Sequence, residues 1–233
     1  MGLFDFLSNK KKETIVSKAP PLKIEDLSKN DTFSIEICGI NEISGKTFQI
    51  NDFCEQIIHT DNGKTLIINI EDLSSGEPFR ISPFNINGKS CYKIQKELFP
   101  DDVETLFFDP SWIYDENNFT PPNDFRFIFD ESCHADFCLV RYSENTKDKN
   151  FEWTSNKYSF YEHTGVQGYK FPSFINKDSA QKNETAISIQ SYSLADISKK
   201  FFIDIEVYQD GVTKVYLGHI VGESMINDIF HNI

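Results

Sequence analysis

FFIDIEVYQDGVTKVYLGH, residues 201–219, decides the fold. Phe201–Tyr208 and Thr213–His219 are runs of β-branched and aromatic residues, and Gln209-Asp210-Gly211 between them is turn chemistry, so the stretch reads as a β-hairpin. A second hairpin turns at Asp61-Asn62-Gly63, where Asn and Gly tolerate the positive φ of a type I′ turn. Its arms are Glu55–His59, with Lys46–Ile50 before it, and Thr65–Ile70. In Thr32–Cys38 the apolar Phe33, Ile35 and Ile37 alternate with Ser34 and Glu36, which is strand periodicity. Asn87-Gly88 offers a further turn before Ser90–Ile94. Phe125–Phe129, Ala135–Tyr142, Phe151–Tyr161 (as one strand or two) and Ala186–Tyr192 continue the β pattern, and the 22 Phe favour strands and a sheet core.

Helical expectations are two. Asp101 and Asp102 suit the start of a helix over Pro100–Phe108, with Val103, Leu106 and Phe107 on one face. Gly222–Phe230 reads as a short closing helix. The fold class is therefore mainly β (α+β): antiparallel sheets or a sandwich-like roll, with a mid-chain helix and a short C-terminal helix. The expected organisation is a docking segment and tether over 1–22, a β-rich subdomain over 23–95, a helix and loop over 96–124, and a second β-rich subdomain over 125–233. A continuous domain over 23–233 is the alternative. The 233 residues suffice to bury a core.

The whole chain carries −13; the first 20 residues hold four Lys against Asp5 and Glu13, a net +2, so the rest carries −15. That balance argues against nucleic acid as a ligand, because phosphate binding needs clustered Lys and Arg. The opening MGLFDFLSNKKK is foreign to the acidic body. Leu3, Phe4, Phe6 and Leu7 form an apolar peptide and Lys10, Lys11 and Lys12 follow it, a combination that docks on a partner groove or gives weak contact with an anionic membrane surface. Covering the domain's own edge is the plain alternative. Nothing in the head reads as a secretory signal, and no stretch reaches the apolar length of a membrane span. The expected location is cytoplasmic, with peripheral contact at the inner membrane as the variant. The five Cys at 38, 54, 91, 133 and 138 are an odd, scattered set, expected as reduced, buried thiols.

The densest set of metal-capable residues is Cys133, His134, Asp136 and Cys138, with His163 as a distant candidate. It lacks the close Cys pairs of a structural zinc site, and a strand with a buried thiol is the preferred reading. No nucleophile elbow, zincin, phosphate-loop or dinucleotide motif occurs, and the acidic pairs read as solvated faces. Trp153, Tyr158, Phe160, Tyr161, Tyr169 and Phe171 read as core and core edge, with a binding groove as the alternative. No catalytic residue and no cofactor is expected.

MGLFDFL, the Lys run, the Pro20-Pro21-Leu22 entry into β structure and DIEVYQDGVTKVY (204–216) together resemble a loose group of bacterial proteins encoded beside phage-shock (PspA-like) or tellurite-resistance genes. The resemblance covers a small part of the chain and transfers no functional residue. It implies a cytoplasmic accessory of an envelope-stress system without catalysis. The expected function is thus a non-enzymatic adaptor acting through protein–protein contacts. The alternative is an acidic inhibitor or immunity-type protein that caps a basic toxin or nuclease, steered by its charge.

Overall fold

The computed structural model describes residues 23–58, 63–106, 138–139, 149–155, 157–160, 166–174 and 186–231. The described strands are β1 (Thr32–Ile35), β2 (Lys46–Ile58), β3 (Gly63–Asp72), β4 (Pro78–Ile86), β5 (Lys89–Leu98), β6 (Cys138–Leu139), β7 (Lys157–Phe160), β8 (Val166–Phe174), β9 (Ile187–Asp196), β10 (Phe201–Tyr208), β11 (Thr213–Gly222) and β12 (Ile226–Phe230). Among the described residues one α-helix, α1 (Pro100–Leu106), follows β5.

Local turn chemistry sets the hairpins. Asn87 and Gly88 take φ of 52° and 78°, the left-handed values that fold β4 onto β5 with Ile86 opposite Lys89. Gly211, at φ 88°, reverses β10 into β11. Long-range pairing does the rest. β2, β3, β4, β5, β11, β10 and β9 follow one another as antiparallel neighbours, and β8 pairs with both β9 and β2. These pairings close a ring of eight strands, which removes the exposed edges that an open sheet leaves. Strands before and after residues 96–124 share the ring, through β5 with β11 and β2 with β8.

Two long strands make the closure possible. On one edge β2 holds β1 along Lys46–Gln49 and then β8 from Phe53 to Ile58, with a bulge between Ile50 and Asp52 on its β3 side. β9 likewise holds β8 over Ile187–Ser191 and β7 over Leu194–Asp196. β12 with β1, and β6 with β7, therefore hang on the ring as flaps.

The outward face of the ring is apolar. Phe48, Ile68, Phe79, Ile81, Ile94, Ile203, Ile205 and Leu217 belong to one buried cluster with Ile24, Leu27, Ile40 and Ile43 of the preceding segment and with Trp153. Phe48 meets Phe79 edge-on at 5.7 Å, and Phe79 stacks on Trp153 at 6.0 Å.

Several expectations change. Gly222–Phe230 is not a helix: Glu223–Met225 makes one 3-10 turn and Ile226–Phe230 is strand β12. The spacing of Met225, Ile226, Ile229 and Phe230 fits a helix, but β1 offers a ladder partner, and Ser34 and Ile35 pair with Asn227 and Ile226. Phe151–Tyr161 divides into a 3-10 turn, Lys149–Trp153, and the short β7. β1 stops at Ile35, and Ile37, beyond its end, is 81 % exposed rather than on one face with Phe33 and Ile35. Lys46–Ile58 is one bulged strand where two runs were expected. No strand is expected over residues 78–86, yet Pro78–Ile86 is β4, with Pro78 as its first residue. Cys54 and Cys91 are buried free thiols, and Cys38 is half-buried and free.

His219 of β11 lies on the outward face, 7 % exposed, with its ring 5.0 Å from that of Phe201. Burial first, then Lys200, lowers its pKa to about 4, and a hydrogen bond with the Cys38 backbone and the charge of Asp196 oppose the shift only in part. An unfolded His takes up its proton near its ordinary pKa of 6.5, so this group adds stability above that pH and the contribution is lost as pH falls toward 4. The full effect is about 3 kcal/mol. His219→Gln is expected to flatten the pH dependence of urea-measured stability between those values; an unchanged slope would show that the ring is hydrated.

Candidate functional site

The opposite face of the same strands is polar and enclosed. Arg80 Nη1 donates to Glu206 Oε1 at 2.6 Å, although β5 and β11 separate their strands. Lys170 Nζ reaches Glu206 Oε2 at 2.8 Å across β9, and Gln56 Nε2 reaches Ser191 Oγ at 2.8 Å across β8. Bonds that skip strands, together with a cleft bordered by all eight, place this face inside the ring.

Glu206 is the hub. It also accepts from Tyr208 Oη at 2.6 Å, and Lys170 Nζ bonds that phenol at 2.9 Å. Arg80 continues the network by donating from Nε to Gln95 Oε1 at 2.9 Å, while its guanidinium lies 3.3 Å from the centre of the Tyr216 ring. Gln95 Nε2 then donates to Asp204 Oδ2 at 2.6 Å. Lys93 and Ser193 Oγ also bond Asp204. Gly218 makes room for this chain: a Cβ there would stand 3.2 Å from Phe202 Cβ and 3.3 Å from Gln95 Cγ. Glu206 and Arg80 are 2 % and 6 % exposed, so their charges meet little water.

Phe84 and Phe202 pack edge-on at 5.3 Å toward one end of the ring. At the other end a cleft of about 400 Å³ opens. Arg80, Lys170, Gln95, Cys54, Tyr208 and Tyr216 line it. Asn51, Asp52, Asn69, Glu97 and Lys214 contribute polar groups, Ile187 contributes apolar surface, and Phe79 and Phe171 border the cleft from strand positions next to Arg80 and Lys170. Asn69 donates to Asp52, and Lys214 pairs with Glu97 at 3.0 Å.

Electrostatics fixes the protonation of the central groups. Burial pushes the Glu206 carboxyl up, but the Arg80 guanidinium and the Lys170 ammonium outweigh it and hold the pKa well below the usual carboxylate range. Burial and then the Glu206 charge push Tyr208 far up. Burial likewise raises Tyr216 despite Arg80 beside it, and pushes the Cys54 thiol up to about 11. At neutral pH Glu206 is ionised, while both phenols and the thiol keep their protons.

No protein-family model matches the chain, and no curated protein and no solved structure matches it. The ring and its interior are therefore read on their own chemistry.

The expected site residues fall elsewhere. Leu3, Phe4, Phe6, Leu7, Lys10, Lys11 and Lys12 lie outside the described residues, as do Cys133, His134, Asp136 and His163. Cys138 is placed in β6, paired with Tyr158. Among the described residues no three His, Cys, Asp or Glu side chains form a metal-binding group. Among them, too, no helix is long and apolar enough to cross a membrane. Of the aromatic set, Trp153 and Tyr158 are buried core, Tyr169 is 40 % exposed and Phe171 lines the cleft.

Sequence reasoning missed Arg80, Gln95, Lys170, Asp204, Glu206, Tyr208 and Tyr216. One signal pointed to Arg80: it is one of only three arginines in a lysine-rich chain, set between Phe79 and Ile81. An Arg so flanked suggests a need for the planar fork that makes several bonds while buried.

Proposed function

We propose that this is a non-enzymatic binding protein whose binding centre is the open end of the eight-stranded ring, and that its ligand is a small polar molecule. The observation that carries the reading is the cleft itself, to which all eight strands contribute. Barrel mouths with a few convergent polar groups among apolar walls are common ligand sites. The fixed protonation states support binding over proton transfer, since a general acid or base works best with a pKa near the operating pH. The polar groups are also held in place before any ligand arrives, each tied to its neighbours, which lowers the cost of ordering them on binding. The adaptor and inhibitor readings concern the head and the acidic exterior, and stand apart from this site.

The test is a protein-observed NMR screen of small polar fragments against the intact protein and against Asn69→Trp, which narrows the mouth. Hits are expected to perturb Tyr208, Tyr216 and Asn69 and to weaken in the variant. Hits that scatter over the exterior, or that ignore the variant, would overturn the reading.

A further inference from the structure

We propose that the base of the cleft is an oxyanion subsite, taking a carboxylate or phosphate group of a small molecule on Arg80 Nη2 and Lys170 Nζ. This rests on the ring cleft being a binding site and names what it binds.

The first ground is charge. Inside the ring, Lys93 is matched by Asp204, whereas Arg80 and Lys170 share the single carboxylate of Glu206. Around Glu206 the cations thus outnumber the carboxylates by one, in a chain that is −13 overall. An unmatched charge held away from water is costly, and an anion in the cleft removes that cost. Asp52 and Glu97 are the carboxylates facing the cleft from its rim. Glu97 is neutralised by Lys214, and Asp52 is partly buried and already accepts from Asn69, so the amide weakens its repulsion.

The second ground is unused donors. Among the described residues, Arg80 donates from Nε to Gln95 and from Nη1 to Glu206, while Nη2 has no acceptor. Lys170 spends two of its three protons, on Glu206 and Tyr208. Nη2 is not sealed from the cleft, and both residues line it. Two adjacent cations with free N–H groups suit an oxyanion's lone pairs, and such charge-assisted bonds are the strong ones. Ile187, the ladder partner of Lys170, offers an apolar wall for the body of the molecule.

Calorimetric titration at fixed ionic strength tests this with three probes: benzoate, phenyl phosphate and the neutral benzamide. Benzoate or phenyl phosphate is expected to bind at least about tenfold tighter than benzamide, and the stronger of the two identifies the oxyanion. Lys170→Met leaves Arg80 and Glu206 as a balanced pair. It is expected to lose about tenfold or more in anion affinity without changing benzamide binding. Lys23→Met, on an exposed pair with Glu223, is the control and should change nothing. Benzamide binding as well as the anions would overturn the oxyanion subsite and leave the cleft reading intact. Failure of both anions to bind at about millimolar concentration would overturn the subsite outright. The wild-type comparison decides the matter even if the Lys170 variant is unstable.

Discussion

Glu206→Gln is expected to cost about 3–5 kcal/mol of folding stability, the largest loss of any single polar substitution in the ring. The glutamine keeps the shape of the side chain and removes its charge. Arg80 and Lys170 would then face each other inside the ring without a counterion, and Tyr208 would lose the strong acceptor it reaches at 2.6 Å. The loss measures an uncompensated charge rather than the worth of the pair. A triple variant, Arg80→Met with Lys170→Met and Glu206→Leu, should therefore recover most of it. Urea unfolding of both proteins checks the claim. A cost for Glu206→Gln below about 1 kcal/mol would mean that water reaches these charges as it reaches a surface pair.

The same variant carries a pH signature. The folded pKa of Glu206 lies below the ordinary glutamate value of 4.5 because Arg80 and Lys170 outweigh its burial. A carboxylate depressed in the fold contributes stability in full above its unfolded value, and the contribution drains away as pH falls below it. Wild-type stability should thus fall more steeply than that of Glu206→Gln as the solution is acidified below 4.5. This window lies at the acid end of that of His219, whose contribution is already declining from 6.5, so the two effects separate in a titration of both variants.

The hairpins were legible because turn chemistry is local. Asn87-Gly88 and Gly211 ask for positive φ whatever surrounds them, and they obtained it. Helix α1 was legible at its acidic start for the same reason. Ring closure was not. It depends on β8 reaching β2, a strand more than a hundred positions earlier, and nothing in Val166–Phe174 names that partner. The site was hidden by its own regularity. In β10 the acids Asp204 and Glu206 alternate with Ile203, Ile205 and Val207, which reads as a strand with one wet face. Both faces are buried instead. Alternation reports that two sides differ; whether the polar side meets water or the inside of a barrel is decided by the other seven strands. β12 shows the same limit from another side, since a short apolar run fits helix and strand alike until a ladder partner is present.

Trp153→Ala is expected to cost about 3–5 kcal/mol, through the outward face rather than the site. Trp153 is fully buried, stacks on Phe79 at 6.0 Å and donates from Nε1 to Glu42 Oε2 at 2.5 Å. Lys96 Nζ bonds the same carboxylate oxygen at 2.5 Å and lies 5.3 Å from the centre of the indole. One side chain thus ties the 149–153 turn, the segment around Glu42 and strand β5 together over the ring. The neighbouring Glu152 strengthens the tie by accepting the Asn41 backbone N–H at 2.6 Å. Truncation leaves a cavity against Phe79 and takes one donor from Glu42. Trp153→Phe should keep the stack and lose the hydrogen bond, at about 1–2 kcal/mol. Hydrogen exchange separates this clamp from mere loss of apolar area. If the indole holds the segment onto the ring, amide protection around residues 40–45 should collapse in Trp153→Ala while β10 and β11 stay protected. Uniform loss across the ring would instead show that Trp153 acts as core alone, with the segment anchored by Ile40 and Ile43.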